Sequence, residues 1–191
     1  MPSGEAGGSG ATVVGMQVDA LADVTLKDAT GTPRRLGDYW AEKPVVVVFL
    51  RHFGCLLCRE HIALVRDRYD EIQGVGGEVI AIGTGSVRYA ANFIEEEHVT
   101  FPVLVDDDGV AASAAQVPSL NFFKLVLNRK SWAGTKRAHA AGHKVHKAGK
   151  RVTQLGATFV LGSGDRARYE HIDEHSADHA PLEDVIKALQ D

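Results

Sequence analysis

The chain alternates short, wholly apolar runs with segments whose apolar residues recur at helical spacing. Val24 to Lys27 alternates as a short strand, and Asp28-Ala29-Thr30-Gly31 reads as a turn. Leu36 to Trp40 leads into a short helix, and Lys43-Pro44 breaks the chain before Val45 to Leu50, a run with no polar member that predicts a buried strand. Beyond it Ile62, Val65 and Tyr69 fall at helical spacing, which predicts a helix from about Cys58 to Gln73 that ends at Gly74, Gly76 and Gly77. Val79 to Gly83 predicts a second buried strand, and Ser86 caps a helix reaching about Glu97. Val103 to Val105 predicts a third strand, and Asp106-Asp107-Asp108-Gly109 a turn into an Ala-rich helix ending near Gln116. Thr158 to Leu161, a Gly162-Ser163-Gly164-Asp165 turn and Ala167 to His171 form a predicted hairpin. Pro181 opens a final helix, Leu182 to Leu189, as its first-turn proline.

Strand–helix–strand–helix followed by a hairpin and a helix predicts an α/β fold of thioredoxin-like pattern, with a central mixed β-sheet flanked by helices. Pro118 to Gln154 does not fit that minimal pattern. It is too long for an unstructured connection in a compact domain. It therefore reads as a basic insertion, at about 118–154, before the last hairpin.

Composition narrows the class. Hydrophobic residues at 45% and charged residues at 24% are ordinary for a globular chain of 191 residues, enough for one domain with a sizeable core. No stretch approaches the roughly 18 apolar residues of a membrane span. Residues 1–11 are Gly- and Ser-rich, without a basic-then-apolar leader signature. They predict a disordered tail before a domain over 12–191, and a cytoplasmic, reducing environment.

The net charge of −4 gives no general affinity for nucleic acid. Its distribution is uneven, because Gly109 to Gly164 contains no Asp or Glu. Arg129, Lys130, Lys136, Arg137, Lys144, Lys147, Lys150 and Arg151 lie within that interval, with His139, His143 and His146. This segment is either a solvated helical face or a surface for an anionic partner. It holds no recognised nucleic-acid motif and little aromatic interleaving beyond Trp132.

The candidate chemistry is concentrated at one junction. The only two cysteines, Cys55 and Cys58, stand where the predicted buried strand gives way to a helix. A helix N-terminus favours a thiolate, and Arg51, His52 and Arg59 add positive charge. A second thiol one turn away can resolve a sulfenic acid or mixed disulfide into an internal disulfide. The alternatives carry less. One staple adds little to a domain this large. Cys55, Cys58 and His61 lack the second Cys pair usual in a closed zinc site, and Arg59 stands where covalent haem attachment wants His.

The helix N-terminal position favours Cys55 as the attacking, more exposed thiol, with Cys58 resolving. His52 and His61 can each act as proton donor or charge partner, although His61 can equally face solvent on the second helical turn. A second polar cluster, Asp173, Glu174, His175, Asp178 and His179, is either a solvated loop before the last helix or part of the site. A transition metal is conceivable from its residue types, but the spacing supports no particular geometry.

The stretch Val45 to Glu60, with FLRHFGC-x-x-CRE, resembles the peroxiredoxin-like branch of the alkyl hydroperoxide reductase/thiol-specific antioxidant superfamily, related to the selenoprotein U and peroxiredoxin-like 2 proteins. The resemblance continues through Val79–Ser86, Phe101–Gly109, Gln154–His171 and Ala177–Val185. It implies a thioredoxin fold and a redox-active CxxC that reduces a peroxide or disulfide. It also implies regeneration by thioredoxin, glutathione or an NADPH-linked reductase, and possible homodimers. It implies no cofactor. Relatives of this branch also include a prostaglandin-type endoperoxide reductase, and a non-catalytic scaffold is a further alternative.

Peroxiredoxins carry P-x-x-x-T-x-x-C. In their frame Cys58 is oxidised first, Cys55 stands at the Thr position and Arg51 at the Pro position. Their catalytic Arg before the later strand aligns with about Gly156, and thioredoxin's cis-Pro with Ala157. The Asp178-His179 pair matches the branch's motif.

Overall fold

The structure is a computed structural model describing residues 18–119, 151, 153–163 and 167–191. The expected tail (1–11), residues 129–150 of the basic segment, and Gly164 and Asp165 of the hairpin turn lie outside the described residues.

A seven-stranded mixed sheet runs in the order β2-β1-β5-β4-β3-β6-β7. Its strands are β1 (Thr25–Asp28), β2 (Pro33–Arg35), β3 (Val45–Phe49), β4 (Glu78–Gly83), β5 (Val103–Val105), β6 (Ala157–Leu161) and β7 (Tyr169–Ile172). β3, β4 and β5 are mutually parallel neighbours, while β6 and β7 form an antiparallel hairpin beside β3. The helices are α1 (Val18–Ala22), α2 (Leu56–Asp67), α3 (Tyr69–Gly74), α4 (Val87–Glu97), α5 (Val110–Ala114) and α6 (Leu182–Gln190), with a 3-10 turn over Leu36–Tyr39.

The unbroken valine run of β3 follows from having no solvent side. Val46 and Val48 pack with residues of α2, α3, α4 and α6, whereas Val45, Val47 and Phe49 pack with residues of α1 and α5. All five β3 residues are buried, each worth about 1.5–3 kcal/mol on hydrophobic burial alone. β4 alternates in the same way, with Val79 and Ala81 on the first face and Ile80 and Ile82 on the second.

The helix expected over 58–73 begins earlier and is divided. Its first residue is Leu56, and the backbone departs from helix at Arg68 (φ −108°, ψ 8°) before α3 resumes. Cys55 thus sits outside the helix as its cap. α1 and β2, which the hydrophobic pattern did not mark, are too short to show a period. β2 is exposed throughout and is defined by its pairing with β1. Pro181 stands at the N-cap of α6, one position before the expected first turn.

Ser119 and Gln154 bridge, and Leu155 N–H donates to the Pro118 carbonyl at 3.0 Å, so the flanks of the basic segment meet beside the sheet. Arg151, its last member, donates to Gln154 Oε1 at 3.3 Å.

Candidate active site

The parallel strands β3 and β4 end together, and the chain after β3 crosses over the end of β4. Leu50 N–H donates to the Ile82 carbonyl, and Phe53 N–H to the Thr84 carbonyl. The fully buried Thr84 hydroxyl donates to the Arg51 carbonyl at 2.8 Å. Gly83 makes the crossing possible, because a Cβ there would lie 2.5 Å from Cε1 of Phe53. Phe53 in turn packs on Phe93 of α4, with ring centroids 5.4 Å apart. The 51–54 turn is therefore clamped, and it delivers the two cysteines to the C-terminal end of the parallel strands, where α/β sheets place their sites.

Cys55 is the N-cap of α2, with extended backbone (φ −74°, ψ 118°). Its carbonyl accepts the Arg59 N–H at 3.0 Å, and its sulfur accepts the Cys58 N–H at 3.4 Å. The Cys58 thiol also donates to the Cys55 sulfur, the largest influence drawing the Cys55 thiol down to about 6 against the opposing effect of burial. The Arg51 charge, the Cys58 N–H and His179 act in the same direction. Cys58 is pushed the other way, first by burial and then by the neighbouring Cys55. One sulfur is thus prepared as thiolate and the other held as thiol, both in reduced form. Neither is open to solvent as expected for an exposed nucleophile: Cys55 is 6% and Cys58 3% accessible.

The charges named from the sequence divide into two groups. Arg51 is buried and its charge acts on both sulfurs. Arg59 lies behind them. Its Nη1 donates to Glu96 Oε2 at 2.7 Å and Glu97 Oε1 at 2.8 Å, and its Nε to the Phe53 carbonyl at 3.0 Å. His52 is drawn down to about 4, first by burial and then by the charges of Arg51 and Arg59. It is neutral at pH 7.

His61 does not face solvent. It is 4% accessible, and its ring stacks on that of His179 at 4.3 Å between centroids. The expected second turn of helix is correct, but that face of α2 is covered by the loop before α6. His179 and His61 line one small pocket with Cys58, Phe49, Gly156 and Asp173. Asp178 stands further out, accepting the Glu174 N–H at 2.8 Å and lying 3.7 Å from His171 Nε2.

His171 enters this neighbourhood without a local signal. Asp173 belonged to a polar cluster, but only the β6–β7 hairpin joins it to Cys58: its N–H donates to the Gly156 carbonyl at 3.0 Å. A Cβ on Gly156 would stand 2.3 Å from Asp173 Oδ2. A carboxylate therefore occupies the neighbourhood in which the resemblance places a peroxiredoxin arginine. Among the described residues no group of three or more His, Cys, Asp or Glu is arranged to hold a metal. Among them, too, no helix is long and apolar enough to cross a membrane.

The Arg51 charge gives a direct expectation. Alkylation of the native protein should accelerate as pH rises through about 6, as Cys55 passes from thiol to thiolate. Arg51→Met should move that midpoint upward by about 1 unit, as loss of a nearby opposite charge does. The pH dependence of the iodoacetamide rate checks both; an unmoved midpoint would remove Arg51 from the site's electrostatics.

Comparison with known proteins agrees with the geometry. The chain is 27% identical to the Arabidopsis thaliana chloroplastic thioredoxin-like protein AAED1 over 94% of its own length and 75% of that protein's. It is 28% identical to human peroxiredoxin-like 2C, over 89% of this chain and 79% of the relative. Its fold superposes on the crystal structure of peroxidoxin BcpB from Mycobacterium tuberculosis with a TM-score of 0.65, at 24% identity over 92% of this chain and 97% of that one. The AhpC/TSA family model matches residues 18–160, which span both cysteines, the first five strands and most of β6, and the chain belongs to the AhpC/TSA family, with a thioredoxin-like fold.

Proposed function

We propose that this protein is a thiol-dependent oxidoreductase that reduces a small peroxide or disulfide through a Cys55–Cys58 disulfide. The observation that carries the reading is the pairing of unlike thiols on one turn. Cys55 caps a helix and accepts hydrogen bonds from both the N–H and the thiol of Cys58.

With a peroxide, the Cys55 thiolate attacks one oxygen, the O–O bond breaks, and the distal oxygen leaves as hydroxide or alkoxide, taking up a proton. Cys55 is then a sulfenic acid. The Cys58 sulfur, having lost its proton, displaces the sulfenic hydroxyl, which departs as water once protonated. The S–S bond closes. With a disulfide, Cys55 forms a mixed disulfide, and Cys58 releases the second thiolate. Two electrons from thioredoxin, glutathione or an NADPH-linked reductase restore the dithiol. The low exposure of both sulfurs and the small pocket favour a compact oxidant. Arg51, whose charge reaches both sulfurs, supports the anionic leaving group. The cycle requires a reducing compartment such as the cytoplasm.

A carboxylate rather than a guanidinium beside Gly156 favours the disulfide branch over the peroxide branch. Mixing the reduced protein with hydrogen peroxide, and separately with a small disulfide, tests both by peroxide consumption and mass spectrometry. Both routes should end in loss of two hydrogens across Cys55 and Cys58. Fast peroxide turnover makes the protein a peroxidase. Slow peroxide reaction with rapid disulfide exchange makes it a disulfide reductase. Failure of the two cysteines to join under either oxidant would overturn the proposal and turn attention to a scaffold role.

A further inference from the structure

Closing the disulfide requires Cys58 to surrender a proton inside the protein, and neither the Arg51 guanidinium nor Cys55 can serve as the base in that step. Cys55 is by then bonded to substrate oxygen or sulfur. The acceptor must lie in the same pocket as Cys58.

Two imidazoles line that pocket, His61 and His179, and the Nε2 of each is buried without a hydrogen-bond partner. They are not equivalent. Of the two, His179 has a carboxylate behind it: Nδ1 lies 3.5 Å from Asp173 Oδ2. That contact favours the tautomer with the proton on Nδ1, which leaves the Nε2 lone pair available. Asp173 is itself fixed, its side chain 4% accessible, with Oδ2 in the space a Gly156 side chain would fill. Its other oxygen lies 3.6 Å from His171 Nε2. His61 stacks flat on His179, at 15° between ring planes, and holds the ring from the α2 side. Burial and the neighbouring histidines push His61 well below its ordinary range, making it the poorer base.

We infer that His179, positioned by Asp173 over Gly156, is the proton acceptor for Cys58 when the dithiol closes, and its proton donor when the disulfide is reopened. The inference rests on the dithiol cycle proposed above. In the closing step the Cys58 S–H bond breaks and its proton passes to His179 Nε2. The Cys58 electron pair forms the S–S bond to Cys55, and the bond from Cys55 to the substrate sulfur or oxygen breaks. The leaving group takes that electron pair and, subsequently, the proton. Asp173 is the positioning residue, because it balances the imidazolium formed in transit. The charged and titratable groups around His179 are Cys55 at the cap of α2, Cys58 and His61 from α2, and Asp173 from the loop after β7, with His171 and Asp178 on the far side of Asp173.

The test is rapid mixing of the reduced full chain with one equivalent of 4,4′-dithiodipyridine, a small neutral disulfide with a chromogenic leaving thiol. The first thiopyridone reports attack by Cys55, and the second reports closure by Cys58. His179→Asn should slow the second release at least tenfold at neutral pH and change the first by less than threefold. In the native protein the second rate should rise with pH and reach a plateau well before the Cys58 thiol itself ionises. In the variant it should instead climb with hydroxide over the whole range up to the Cys58 thiol's own titration. A purely structural loss lowers the rate alike at every pH and would overturn the inference, as would two unchanged releases. Asp173→Asn, which keeps the shape beside Gly156, should give a milder form of the same profile; a profile identical to the native one would equally overturn it. A native protein releasing only the first equivalent, or none, would overturn the dithiol cycle itself and the relay with it.

Discussion

Cys55→Ser is expected to abolish turnover and to leave the protein nearly inert to iodoacetamide at pH 7, whereas Cys58→Ser keeps a reactive thiol. The difference comes from the two environments, since both residues lie on one turn and both are buried. Cys55 is drawn down to about 6, so at pH 7 the thiolate predominates. Cys58 is pushed well above its ordinary value by burial and by Cys55, so at pH 7 it is held as the thiol. Because the thiolate is the nucleophile, removing Cys55 should cost about 100-fold or more in alkylation rate. In Cys58→Ser the serine hydroxyl still donates to Cys55 and the backbone N–H is unchanged, so the rate should stay within a few-fold of native. That variant would complete the first chemical step and stop, accumulating a mixed disulfide or sulfenic acid at Cys55 that mass spectrometry resolves. The opposite pattern, with Cys58→Ser inert and Cys55→Ser reactive, would reverse the assignment and put the protein in the peroxiredoxin order.

The parts of this arrangement carried by neighbouring residues were legible in the sequence. The run Val45 to Leu50 announces a strand buried on both faces because no polar residue interrupts it, and Ser86 announces α4 through its cap, which accepts the Tyr89 N–H at 3.3 Å. The CxxC pair at the strand–helix junction carries its chemistry in its spacing. What the sequence hides is what the sheet order creates. β6 pairs with β3 although more than a hundred residues separate them, and β7 follows it, so Asp173 and His179 reach Cys58 only in three dimensions. His61 illustrates the limit. Its place on the second turn of α2 was evident, but whether that face met solvent depended on a loop far along the chain. Arg59 is similar: its closeness to the thiols in sequence suggested a charge for catalysis, and the acidic run at the end of α4 claims it instead.

That claim sets the largest expected effect on stability. Arg59→Met should destabilise the fold by about 3 kcal/mol or more, in the range for removing one partner of a buried ion pair. The Arg59 side chain is 4% accessible and that of Glu97 is 8%, so water cannot replace the guanidinium against the carboxylate. Glu96, at 40%, lies nearer solvent and should contribute little to the loss. The same guanidinium holds the Phe53 carbonyl and lies 5.3 Å over the Phe93 ring, so the clamp on the 51–54 turn loosens with it. Methionine keeps much of the volume, which separates lost charge from a simple cavity. Urea unfolding of native, Arg59→Met, Glu97→Gln and the double variant measures the coupling. If an uncompensated Glu97 dominates the loss, the double variant should be more stable than Arg59→Met alone. If the two substitutions instead add, the cost lies in the Phe53 and Phe93 contacts, and Arg59 serves mainly as the strut beneath the cysteine turn. In either case alkylation of Cys55 in Arg59→Met should remain fast under conditions where the protein is folded, because Arg51 and the Cys58 thiol, rather than Arg59, are the groups that draw that sulfur down.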